Sequence, residues 1–104
     1  MADEELTPDQ LADHVRRLKV SDLLLTTCST LAQLGYAKLA PDARDLEQAQ
    51  LAIDSLRALV PVLERGAGEE LARDFRVVVS NLQLAYAEAA GAAAQTAESG
   101  EETS

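Results

Sequence analysis

Residues 46–63 read LEQAQLAIDSLRALVPVL, and the spacing within this stretch decides the fold. Leu46, Ala49, Ile53, Leu56, Val60 and Leu63 recur three and four residues apart without a break, and Ala52 and Leu59 widen the stripe. Residues at those spacings share one face of a helix, so the stretch predicts an amphipathic helix with a broad apolar side. The period is that of helices packed nearly parallel or antiparallel, as in bundles. Asp45 just ahead of it, with Gln48 three residues on, supplies a capped start. Pro61 lacks a backbone N–H and crowds the carbonyl of Arg57, so a kink or an early end is expected there.

Downstream, Arg65-Gly66-Ala67-Gly68 predicts a stop and a turn near Gly66. Glu69 and Glu70 then open a last helix with charge that suits its dipole. Leu71, Phe75, Val78, Leu82, Ala85 and Ala89 form its stripe, flanked by Val79 and Tyr86. The β-branched run Val77-Val78-Val79 is too short to overrule that period. From Gly91 on there is no bulky apolar residue, so residues 91–104 are expected to be a disordered acidic tail.

Upstream, Pro41-Asp42 marks a turn. A helix is expected from Ser21, as its cap, to about Tyr36, with Asp22 in the first turn. Leu24, Cys28, Leu31 and Gly35 form one stripe on it, and Leu23, Thr27, Thr30 and Leu34 a second. It has no charged side chain after Asp22, which predicts burial on most sides. Ahead of it, Thr7-Pro8-Asp9-Gln10 reads as a capping box with Pro at the first helical position. Leu11, Val15 and Leu18 follow at helical spacing, so a short helix is expected to about Lys19. Short loops make sequential helices antiparallel. The expected fold is therefore all-α: an antiparallel three-helix bundle with a short extra N-terminal helix and a disordered C-terminal tail. Residues 1–19 form an acidic N-terminal segment with a short amphipathic helix, 20–90 a helical core domain, and 91–104 the tail.

At 104 residues there is room for one domain. Aromatics make up 3%, so the core must be Leu, Val, Ile and Ala. A domain this small buries only about 60% of the surface its unfolded chain exposes, and association would stabilise it. The net charge of -9 repels phosphate backbones unless the few bases cluster. A single Cys28 excludes an internal disulfide and fits a reducing compartment. The acidic start, residues 1–5, lacks the basic opening of a signal peptide. Arg16, Arg17 and Lys19 ahead of Leu23-Leu24-Leu25-Thr26-Thr27-Cys28 faintly suggest a lipoprotein box, but Asp22 interrupts the apolar stretch. The uncharged run from Leu23 to Ala37 is too short to span a bilayer. A cytoplasmic protein is expected, without membrane contact.

The order Ser21-Asp22, Leu31-Ala32-Gln33-Leu34-Gly35, Ala52-Ile53-Asp54-Ser55-Leu56 with Leu59, Glu70-Leu71, and Leu82-Gln83-Leu84-Ala85-Tyr86 resembles a small bacterial family. That family is known as domain of unknown function eighteen forty-four. The resemblance covers roughly Val20 to Glu88. The shared positions are core and turn positions, so it implies an all-helical fold and brings no catalytic residues. Similar proteins often carry a longer, more polar loop where this chain has Gly66-Ala67-Gly68.

His14 is the sole histidine, and a metal site needs several ligands converging on one point. It reads as a solvated surface residue. Cys28 lies on an apolar stripe and reads as a small core hydrophobe rather than a reactive thiolate. No phosphate-binding loop surrounds Gly66 and Gly68, and no two acids are spaced as an acid–base pair. Asp13 with Arg17, Glu69 with Arg73 and Asp54 with Arg57 suit ordinary surface pairs. No catalytic, cofactor-binding or metal residue is therefore expected, and no enzyme activity. The helices carry more apolar surface than one packing neighbour covers, which points to a protein partner. Ser29, Ala32, Gly35, Ala52, Leu56 and Leu59 are the candidate interaction surface. The expected function is a protein–protein interaction or structural module that self-associates, most simply as a homodimer. The alternative is an RNA- or ribosome-associated accessory factor using Arg16, Arg17 and Lys19, although no aromatic residue lies nearby to stack on a base.

Overall fold

In a computed structural model, residues 7–103 form four helices, with side chains described for residues 7–96. The acidic start lies outside the described residues, as do the side chains of the last residues of the tail. The helices are α1 (Pro8–Arg17), α2 (Val20–Ala37), α3 (Leu46–Ala67) and α4 (Glu69–Thr103), and no strand occurs among the described residues.

The core is built around α3, which packs on both α2 and α4, while α2 and α4 also touch. Its buried residues are Ala49, Ala52, Ile53, Leu56, Val60 and Leu63, the inner part of the stripe read from the sequence. Cys28 from α2, Leu39 from the following turn, and Val79, Leu82 and Ala89 from α4 complete the core, with Phe75 and Tyr86 packed half-buried against it. The start of α2 meets the end of α3: a Cβ on Gly66 would lie 3.4 Å from that of Ser21. The far part of α2 meets the first half of α3 and α4, where a Cβ on Gly35 would lie 3.5 Å from Ala52 Cβ and 3.2 Å from a Leu82 methyl.

Helix ends follow local chemistry, with four differences from the sequence reading. First, α2 begins at Val20 with Lys19 as a cap that makes no side-chain bond, so Ser21 is not the cap. The chain is extended at Leu18 and turns helical at once, which places Ser21 inside the first turn against Gly66. Second, α3 neither ends nor breaks off at Pro61 but runs on to Ala67, because Val60 and Leu63 on either side of the proline are held in the core. Third, Gly66 stays helical, and the break is the single residue Gly68, at φ 102 and ψ 163. Fourth, α4 continues through Gly91 to Thr103, where a loose tail was expected. Ala, Glu and Gln dominate that extension, and their high helix propensity favours its continuing as helix. The caps at Thr7 and Asp45 form as read: Thr7 Oγ1 accepts from the Gln10 N–H at 3.1 Å, the Gln10 side chain accepts from the Thr7 N–H at 3.0 Å, and Asp45 accepts from the Gln48 N–H at 3.2 Å.

Helix α1 packs on none of the other three helices and buries no residue. Its apolar side, Leu11, Val15 and Leu18, is 50–56% exposed.

Candidate functional site

The outer side of α2 and α3 carries large exposed apolar residues from both helices. On α2, Val20, Leu23, Thr27, Thr30 and Leu34 point away from the core and are all exposed. The expectation that α2 is buried on most sides therefore fails for this second stripe. Only the first stripe turns inward, with Cys28 and Gly35 buried and Leu24 and Leu31 half-buried. Thr27 Oγ1 donates to the Leu23 carbonyl at 2.8 Å, which satisfies its hydroxyl within the helix. On α3, Leu51, Ser55, Ala58, Leu59 and Val62 continue the surface; Leu51 is 57% exposed and Val62 40%. Between the helices lies a cleft of about 150 Å³, lined by Leu31, Leu34, Lys38, Gln48, Leu51 and Ser55 over Ala52. Acidic Glu47 and Asp54 flank Leu51 along the exposed side of α3.

The sequence-derived interaction residues fall on two sides of this arrangement. Gly35, Ala52 and Leu56 are buried inside the chain, where the small side chains let α2, α3 and α4 approach. Ser29, Ala32 and Leu59 are half-buried beside them. Outward-facing Leu23 and Leu34 were visible in the sequence as the second α2 stripe, but nothing local distinguished an inner from an outer stripe on a helix with no charge after Asp22. Leu51 and Val62 lie off the main stripe of α3 and carried no signal of their own.

A second groove, of about 370 Å³, separates α3 from α4 and is lined by Arg57, Pro61, Arg76, Ser80 and Gln83 over Val60 and Val79. Arg76 pairs with Glu64, which ties the two helices together. Ser80 shares the groove with no histidine or carboxylate, so nothing there activates its hydroxyl.

Arg16, Arg17 and Lys19 are exposed on and just after α1. Arg16 pairs with Asp13 at 3.0 Å, in place of the Asp13–Arg17 pair read from spacing. Asp54 accepts from Gln50 at 2.8 Å rather than from Arg57, whereas Arg73 and Glu69 pair at 3.4 Å as read. His14 lies in a shallow surface hollow with Gln10, Asp13 and Arg17. Cys28 is fully buried, and desolvation raises its thiol above the ordinary value, which favours the protonated form. No group of three or more His, Cys, Asp or Glu among the described residues is arranged to hold a metal ion. No helix among them is long and apolar enough to cross a membrane.

Comparison with known proteins gives no further anchor: no family model, curated protein or solved structure matches the chain.

Proposed function

We propose that the chain is a non-enzymatic protein–protein interaction module that self-associates as a homodimer through the outer side of α2 and α3. One observation supports this reading above the others: Val20, Leu23 and Leu34 on α2 and Leu51 and Val62 on α3 are large, apolar and exposed on neighbouring helices, with Leu34 and Leu51 lining one cleft. Scattered exposed leucines are ordinary, but a contiguous apolar surface spanning two helices marks a site of association. A two-fold axis would bury the same patch on both copies. Helices α2, α3 and α4 in this reading form an antiparallel three-helix bundle, with the Ser21–Gly66 and Gly35–Ala52 approaches at its two ends. The resemblance of Val20 to Glu88 to domain of unknown function eighteen forty-four fits such a module and assigns it no chemistry.

Leu51→Asp and Leu34→Asp place charges on exposed positions, so each variant should keep its helical circular dichroism and sediment as a monomer at concentrations where the wild type is a dimer. A wild-type mass that stays monomeric from micromolar to millimolar concentration would overturn the proposal. The RNA- or ribosome-associated reading has weaker support, because Arg16 is already paired and Asp9 and Asp13 share its helix. It predicts a salt-dependent RNA affinity that disappears when Arg16, Arg17 and Lys19 are replaced.

A further inference from the structure

We propose that α1 is an exchanged arm: its apolar side docks onto the Leu34–Leu51 end of the α2–α3 surface of a second copy of the chain. This rests on the self-association proposed above and names the segment that covers one end of that surface. Four observations carry it: the bare apolar side of α1, the cleft, the charges of both and the reach of the arm. Helix α1 is well capped and strongly amphipathic, yet it touches no other helix, and Leu11, Val15 and Leu18 are left half-exposed or more. The cleft between Leu34 and Leu51 has Leu31 and Ala52 as further apolar lining, with Lys38, Gln48 and Ser55 as its polar lining.

Charge complements this match. The end of α1 and the residue before α2 carry Arg16, Arg17 and Lys19, with Asp9 and Asp13 earlier on α1 and Arg16 paired to Asp13, whereas Glu47 and Asp54 flank Leu51 on α3 and Lys38 lines the cleft on the α2 side. In a chain of net charge -9, this is a basic end that favours an acidic rim and relieves repulsion between copies.

Reach selects the second copy over the arm's own chain. Only Leu18 and Lys19 separate α1 from α2, so a fold-back would start at the Val20 end of α2. Ten helical residues span about 15 Å, which carries α1 only about as far as Thr30. Leu34 lies about 21 Å along α2 from Val20, and Leu51 packs beside that far end. A two-fold pair lets each copy's arm fill the other's cleft, and it leaves Val20, Leu23 and Val62 for contact between the bodies.

The test is sedimentation equilibrium on the full chain with Val15→Asp, Leu51→Asp and an equimolar mixture of the two. Val15→Asp leaves the fold intact, because α1 buries nothing within its own chain. Arm exchange predicts that each variant alone weakens association by about tenfold or more, and that the mixture associates more tightly than either. In the mixed pair, the intact arm of the Leu51→Asp chain meets the intact cleft of the Val15→Asp chain. Wild-type association by Val15→Asp with loss only in Leu51→Asp would overturn the arm and leave the self-association reading standing. Weakening by Val15→Asp with no recovery in the mixture would overturn the exchange between copies. A monomeric wild type would overturn both.

Discussion

Single residues decide where this chain bends and what its core tolerates. Gly68 sits at φ 102 and ψ 163, a region that residues with a Cβ scarcely enter, although nothing lies within 4 Å of where that Cβ would be. Gly68→Ala should therefore lower stability by about 1–3 kcal/mol through backbone strain alone, measurable as a shifted urea midpoint. Gly66 makes the contrast, since it is helical and a Cβ there would meet Ser21 at ordinary contact distance. Gly66→Ala should raise stability by about 0.5–1 kcal/mol, and a loss in that variant would contradict the helical backbone assigned to it. Cys28 adds a pH dependence. Its thiol is raised above the usual 9.0 by burial, so the unfolded chain releases that proton at lower pH than the folded one. Stability from this group is fully present below about pH 9 and is lost as pH climbs from there through the folded value. Urea midpoints of wild type and Cys28→Ala should consequently converge above pH 9, because the variant lacks that loss.

At the scale of elements, Pro61 is the informative case. It is exposed on the groove side of α3 and leaves the Arg57 carbonyl without its helical partner, but the helix runs through it. Pro61→Ala restores that bond without removing buried contacts, so it should stabilise the chain by on the order of 1–3 kcal/mol. An unchanged or lowered thermal midpoint would mean that the proline packs in a way its exposure does not suggest. The proline also shows where the sequence stops being readable. Periodicity identified all four helices and the buried face of α3, because period and core coincide there. Of the kink or early end expected at Pro61, the early end does not occur, because tertiary contact overrides the local breaker, and periodicity could not pick Gly68 from several candidates for the turn. The candidate surface was only half legible for a related reason. Small residues such as Gly35 and Ala52 look alike whether they admit a neighbour from the same chain or from another, and here they admit α4 and α2. With no charge after Asp22, α2 gave two stripes and no local means of telling which faces out.

For the whole molecule, association and folding should be one equilibrium. A core assembled from α2, α3 and α4 draws on small and medium aliphatic side chains, with Phe75 and Tyr86 only half-buried at its edge. A domain of this size is marginal on its own, so any partner that binds only the folded state shifts unfolding by mass action. If two copies share the surface of Val20, Leu23, Leu34, Leu51 and Val62, the thermal midpoint of the wild type must rise with protein concentration. Leu51→Asp removes the association and leaves the core untouched, since Leu51 is 57% exposed. That variant should melt at a lower temperature that does not change over a hundredfold dilution. Leu56→Asp differs in kind: Leu56 is fully buried, so an unpaired carboxylate there destabilises the folded chain at every concentration. Calorimetry of the three proteins across that range separates the two effects. Parallel concentration dependence in wild type and Leu51→Asp would place the contact elsewhere on the chain, and a flat wild-type midpoint would show that the folded unit is a single copy.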